Sequence, residues 1–290
     1  MTKSQAHAPL TRRIAGAGVW LAADFSGPET GPGVILLHGG GQTRHSWAGA
    51  AHRMAKRGYR VVNYDARGHG DSDWSPGGDY TLSTLGKDLL AVRATLNAPT
   101  AFVGASIGGL TSFYAAATGE PPPAQALVMV DIALRPAQAG ADRIGAFMAA
   151  HPDGFATLDD AVAAVAAYNP DRPPSADPSG LARNLRRRAD GRLYWHWDPR
   201  LIVDEDDGQW MDRRYQTLVE VSPRMTIPTL LVRGRRSDIL TDENVADMIR
   251  VVPQTEVLEV AGAGHMIAGD RNDVFVEGVL EFLMRHHPPR

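Results

Sequence analysis

The sequence predicts an α/β fold in which a mostly parallel sheet carries helices on both faces. Short, predominantly apolar runs recur at Gly33 to Leu37 (GVILL), Tyr59 to Tyr64, Thr100 to Val103 and Ala126 to Val130. Strands buried on both faces have this composition, whereas half-exposed strands alternate. Helical patterns lie between the runs. In the clearest, Leu82, Leu85, Leu89, Val92 and Leu96 follow 3-4 spacing behind Thr81, a helix-capping residue type. Strands that alternate with helices imply parallel pairing, because each crossover has to pass over a face of the sheet.

The alternation stops after Asp131 and resumes with a strand at Pro228 to Val232, a helix at Asp242 to Val251, a strand at Glu256 to Val260 and a closing helix at Asn272 to Leu283. Between these halves lies a stretch rich in Ala, Pro and Arg, with expected helices at Thr157 to Tyr168, Ser179 to Arg188 and Gln209 to Val221. The expected organisation is a core over residues 1–133 and 222–290 interrupted by a helical cap over 134–221. Arg12 to Phe25 suits a peripheral hairpin. A length of 290 residues agrees with one large domain plus an insertion.

Composition removes several function classes. A net charge of −3 gives no basic surplus, so nucleic acid and anionic membranes are not expected partners. The absence of cysteine removes disulfides, thiolate metal sites and cysteine nucleophiles. No apolar core of signal-peptide length follows the basic residues of the first 13 positions, no segment approaches the ~20 apolar residues of a membrane span, and the expectation is a soluble, cytoplasmic protein.

The chemistry-bearing motif is Gly104-Ala105-Ser106-Ile107-Gly108, directly after a strand and before a helix. A serine hydroxyl attacks well only when it is exposed, faced by an oxyanion hole and aligned with a base. A sharp strand-to-helix turn exposes it, and small residues two before and two after let the backbone turn. The helix beginning there points its free N–H groups and positive dipole end at the site. His38-Gly39-Gly40-Gly41 follows another strand, and consecutive glycines bring backbone N–H groups close to a ligand. The oxyanion donors are assigned to the N–H groups of Gly40 and Ile107, and His38 to a structural bond within its loop. Asp238 and His265 each follow a later strand. Serine, acid and histidine thus occur in the chain order of one known triad family. Asp131, also at a strand end, is the rival acid.

These motifs resemble the capped α/β-hydrolase superfamily, which includes lactonases, esterases, carbon–carbon bond hydrolases and epoxide hydrolases. Asp65-Ala-Arg67-Gly-His69-Gly-Asp71-Ser is similar to the loop after the fourth strand there, whose role is to order the turn beside the site. The resemblance implies an eight-stranded, mostly parallel sheet with a helical cap inserted after the sixth strand. It implies a Ser106–Asp238–His265 triad working without metal or organic cofactor. Serine at the elbow argues against epoxide and haloalkane chemistry, where attack on saturated carbon would leave an uncleavable ether. Ala105, where carbon–carbon hydrolases usually carry asparagine, argues against that group.

The expected activity is hydrolysis of a carboxylic ester or lactone of small to medium, largely apolar character, with that small molecule and water as the expected partners. Cleavage of a β-diketone and a non-enzymatic small-molecule receptor are the alternatives. In the cap, Trp195 and Trp197 share a face if extended and would either wall the acyl pocket or pack the cap onto the core. Trp47 and Trp74 are further pocket candidates. Arg183, Arg186, Arg187 and Arg188 are read as a solvated helix face rather than a carboxylate site.

Overall fold

The computed structural model describes residues 9–168, 170, 179–202, 209–260 and 275–289. Its strands are β1 (Leu10–Ala15), β2 (Trp20–Ser26), β3 (Gly33–Leu37), β4 (Arg60–Tyr64), β5 (Thr100–Ala105), β6 (Ala126–Val130), β7 (Leu185–Arg187), β8 (Leu193–Trp195), β9 (Thr229–Gly234) and β10 (Thr255–Val260). The helices are α1 (Ala48–Lys56), α2 (Leu82–Arg93), α3 (Ile107–Thr118), α4 (Gln138–Ala149), α5 (Leu158–Tyr168), α6 (Ser179–Ala182), α7 (Trp210–Val221), α8 (Asp242–Val251) and α9 (Val276–His286). Eight strands form one sheet in the order β1-β2-β4-β3-β5-β6-β9-β10. The β1–β2 hairpin and its junction with β4 are antiparallel, and the rest of the sheet is parallel.

Alternation along the central strands divides the core into two layers. In β3, Ile35 and Leu37 pack with Leu89 of α2, Phe113 of α3 and Leu218 of α7, whereas Val34 and Leu36 pack with Met54 of α1 and Leu283 of α9. A side-chain period of two places successive residues on opposite faces, so a strand covered on both sides must be apolar throughout. The helix at Leu82 starts as expected, with the Thr81 hydroxyl accepting the Thr84 N–H. No described helix is long and apolar enough to cross a membrane.

One reading of the segment between β6 and β9 needs correction. The helix expected at Ser179 to Arg188 is a single turn, α6, followed by β7, which pairs antiparallel with β8. Asp190-Gly191 makes the turn between them, with Gly191 at φ 81°, a strong hairpin signal in the sequence. The arginines of β7 therefore lie on a strand edge, not on a helix face. α7 ends at Val221, where the expected insertion also ends. Its Tyr215 and Leu218 belong to the main core beside α3. The insertion's own cluster is Phe147, Phe155, Ala161, Trp195 and Trp197.

A buried ion pair fixes the loop after β4 to α2. Arg67 donates Nε to Asp88 Oδ2 at 2.6 Å and Nη2 to Asp88 Oδ1 at 2.8 Å, with side chains only 3% and 2% exposed. Removing one partner strands a charge in a low-dielectric interior. Asp88→Ala is therefore expected to destabilise the protein by about 3–5 kcal/mol. Thermal unfolding checks this: a fall in Tm of roughly 10 °C is expected, and a shift under about 2 °C would contradict the assignment.

Candidate active site

Ser106 stands between β5 and α3 at φ 48°, ψ −123°, a conformation that non-glycine residues rarely hold and that costs of order 1–3 kcal/mol. The flanking glycines make it feasible. A Cβ on Gly104 would lie 2.3 Å from the Gly108 carbonyl oxygen, and one on Gly108 would lie 2.6 Å from that of His38. The Ser106 N–H donates to Val130 O at 3.1 Å, anchoring the turn to the end of β6. The side chain is half-buried.

The glycine loop after β3 faces this serine. A Cβ on Gly39 would stand 3.2 Å from that of Ser106. Gly39 N–H donates to Gln42 Oε1 at 3.0 Å, and Gly41 N–H donates to His69 Nε2 at 3.2 Å. Among the described residues, the N–H of Gly40 has no protein acceptor. Ile107 opens α3, where a helix leaves its first N–H groups without intrahelical partners. The two amides assigned to the oxyanion thus belong to the glycine loop and to the start of α3, which meet at Gly39 and Ser106.

Three buried histidines surround the loop. Ala66 N–H donates to His38 Nε2 at 2.9 Å, so His38 carries its proton on Nδ1, 2.8 Å from Gly39 O. His69 accepts Gly41 N–H at Nε2 and holds Nδ1 3.1 Å from Arg67 O. Gly70 N–H donates to His196 Nδ1 at 2.7 Å, and Nε2 of that ring lies 3.4 Å from Gly41 O. The rings adjoin, with centroids 4.9 Å apart for His38–His69 and 5.8 Å for His69–His196. Burial lowers His38 to about 4 and His69 to about 3, and takes His196 well below the ordinary imidazole value, so all three are neutral near neutral pH.

The sign of the resulting pH dependence follows. Unfolded imidazoles protonate below about 6.5, while the folded ones cannot until about 4 or lower, so acid favours the unfolded chain. Stability is complete above about pH 6.5 and is lost as pH falls toward 4, at about 1.4 kcal/mol per pH unit for each ring. Melting temperatures across this range are expected to fall steadily, and an unchanged Tm down to about pH 5 would contradict neutral burial.

The four tryptophans part company. Trp47 is wholly buried in the α1–α9 layer, 6.0 Å from Phe275. Trp74 is half-buried and donates Nε1 to His196 O at 3.3 Å, tying the loop after β4 to the insertion. Trp195 stacks on Trp197 at 4.7 Å and packs edge-on against Phe155, inside the insertion's own cluster. Trp197 reaches the site: a Cβ on Gly41 would lie 3.4 Å from its ring. Met148 of α4 stands 3.4 Å from a Cβ on Gly40, and Ile132 2.6 Å from one on Gly109. Met148 and His196, which meet the glycine loop, escaped sequence reasoning, whereas His69 was read only as part of the loop that orders the turn beside the site. Of these two, only His196, a polar residue between two indoles, gave a local signal.

Asp131 ends β6, buried, with φ 51° and its N–H donating to Val232 O at 2.7 Å. Asp238 follows β9 with its side chain 38% exposed, and its Oδ2 lies 2.9 Å from Arg143 Nη1 of α4. His265 lies outside the described residues. Among those described, no group of three or more His, Asp or Glu side chains is placed to hold a metal ion.

Comparison with known proteins decides the family. The sequence model described as alpha/beta hydrolase fold matches residues 32–271. The chain belongs to that family. This alpha/beta hydrolase is 30% identical over 264 residues to Esterase Rv0045c of Mycobacterium tuberculosis, covering 86% of this chain and 83% of that protein. It is 29% identical over 275 residues to the sn-1-specific diacylglycerol lipase ABHD11 of Mus musculus, covering 89% and 83% respectively. The crystal structure of E-2-(acetamidomethylene)succinate hydrolase superposes with a TM-score of 0.80 at 24% identity, covering 96% of this hydrolase and 98% of that chain. At that identity the likeness speaks for the fold alone.

Proposed function

We propose that this alpha/beta hydrolase cleaves a carboxylic ester or lactone through an acyl-enzyme on Ser106. The observation that carries the reading is the strained serine at φ 48°, held against a glycine loop whose Gly40 N–H has no acceptor among the described residues. An esterase and a lipase among the relatives support ester chemistry. The apolar side chains about the loop, Met148 and Trp197, suit a largely apolar acyl or alcohol part of small to medium size.

In this mechanism His265 takes the Ser106 proton as the oxygen attacks the acyl carbon. Gly40 and Ile107 N–H groups hold the tetrahedral oxyanion, each worth about 2.7–4 kcal/mol. His265 then protonates the leaving alcohol and activates water to release the acid. The triad acid holds its imidazole in the working tautomer and stabilises the cation. For that acid, burial supports Asp131 ahead of Asp238, the residue expected from loop order. A triad carboxylate acts best shielded from water, and Asp238 is already paired with Arg143.

Protonated His265 cannot act as base, so activity is expected to fall on acidification with a midpoint near ~6–7. His38, His69 and His196 stay neutral there and add no titration of their own. A rate profile flat down to about pH 5 would mean a different base. The reaction class is tested with wild type and Ser106→Ala against p-nitrophenyl esters of graded chain length, γ- and δ-lactones, and β-diketones. Serine-dependent turnover of esters or lactones is the expected result. Turnover of β-diketones alone, or of nothing, would overturn it.

A further inference from the structure

We propose that His38, His69 and His196 form a positioning frame for the oxyanion loop, and that His196 makes the working geometry of that loop depend on docking of the inserted segment. This rests on the reading that Gly40 N–H holds the oxyanion. Three successive peptide units of the loop each meet a different imidazole. His38 Nδ1 lies 2.8 Å from Gly39 O, the carbonyl of the same planar unit that carries the Gly40 N–H. His69 Nε2 takes the Gly41 N–H of the next unit at 3.2 Å, and His196 Nε2 lies 3.4 Å from Gly41 O of the third. A planar peptide held by its carbonyl has its N–H direction fixed on the opposite side, so the frame sets where the Gly40 donor points.

The protons are assigned by backbone groups that can only donate or only accept. Ala66 and Gly70 N–H groups donate to His38 Nε2 and His196 Nδ1, leaving the other nitrogen of each ring to donate to the loop. His69 faces Arg67 O with Nδ1 and so accepts with Nε2. Gly41 holds φ 72° and has the Trp197 ring over it, so the loop turns where a side chain would be strained.

Of the three rings, His196 alone comes from the insertion, one residue past β8. Its neighbours bind the same stretch to the core. Asp198 N–H donates to Gly68 O at 2.8 Å, Trp74 Nε1 donates to His196 O at 3.3 Å, and the Asp198 carboxylate accepts from Tyr80 Oη. Undocking this segment would take away the His196 donor and the Trp197 cover together. Preorganised donors act through fixed geometry, and a misplacement of about 1 Å costs up to about 100-fold in rate. The frame therefore couples the insertion to catalysis and not to substrate fit alone.

The test compares His196→Leu, His196→Asn and His196→Gln with wild type, using the best ester found and a boronic acid that mimics the tetrahedral state. Leu removes both polar contacts. Asn keeps an acceptor for Gly70 and is too short to reach Gly41, and Gln carries an amide donor long enough to reach it. For Leu and Asn, kcat is expected to fall about 10- to 100-fold with KM within about threefold, and the boronate to weaken by a similar factor. Gln is expected to regain most of both. A variant whose Tm drops by more than about 5 °C is set aside, and Asn against Gln decides. Unchanged kcat, a change confined to KM, or a kcat loss without weaker boronate binding would overturn the frame. Absence of serine-dependent turnover in wild type would instead remove the hydrolase reading itself.

Discussion

Ser106→Ala is expected to lower kcat/KM by at least about 10⁴-fold while leaving the fold unchanged. The attacking oxygen is lost, and what remains is binding plus the oxyanion donors, which in comparable triads leave only weak catalysis over water. The backbone strain at φ 48° is carried by the glycines and by Ser106 N–H on Val130 O, both independent of the hydroxyl. Steady-state rates with thermal unfolding separate the two effects. A Tm within about 2 °C of wild type and loss of turnover are the expected pair, whereas activity within tenfold of wild type would remove Ser106 from the mechanism.

The second large effect distinguishes the two acids. Asp131→Asn is expected to cut kcat by about 10³- to 10⁴-fold, because an amide leaves the catalytic imidazole in the wrong tautomer. Asparagine tolerates positive φ, so the substitution keeps the backbone at φ 51°. Asp238→Asn removes one partly exposed pair with Arg143, at 38% and 48% side-chain exposure, and is expected to change kcat less than threefold. The reverse ranking would give the role to Asp238, and equal small effects would argue against an acid at either position.

The fold was legible because each layer leaves its own period in the chain. β3 and β6 are apolar throughout, and β5 and β9 are apolar over Ala101–Val103 and Leu230–Val232, since both faces are covered, and α2 shows its stripe behind a Thr81 cap. The insertion was less legible, because a three-residue strand leaves too short a pattern to outweigh a run of helix-forming arginines. Asp190-Gly191 was the signal that could have found the β7–β8 hairpin. The elbow and glycine loop could be read from spacing, since steric need dictates glycine there. The contacts of His69, His196, Met148 and Ile132 join segments far apart in sequence, and no local pattern records such meetings. Trp47 shows the limit of residue type: a large ring near a site loop packs into the core as readily as it lines a pocket.

The reading of Ser106 as nucleophile is tested most directly by trapping the acyl-enzyme. Wild type and Ser106→Ala are quenched in acid within the first turnovers of a slowly deacylated p-nitrophenyl ester, and intact mass and peptide mapping locate any adduct. One acyl group per chain on the peptide bearing Ser106, absent from the variant, is the expected result. An acyl group on another residue, or turnover in wild type with no covalent adduct under these conditions, would contradict Ser106 as the nucleophile.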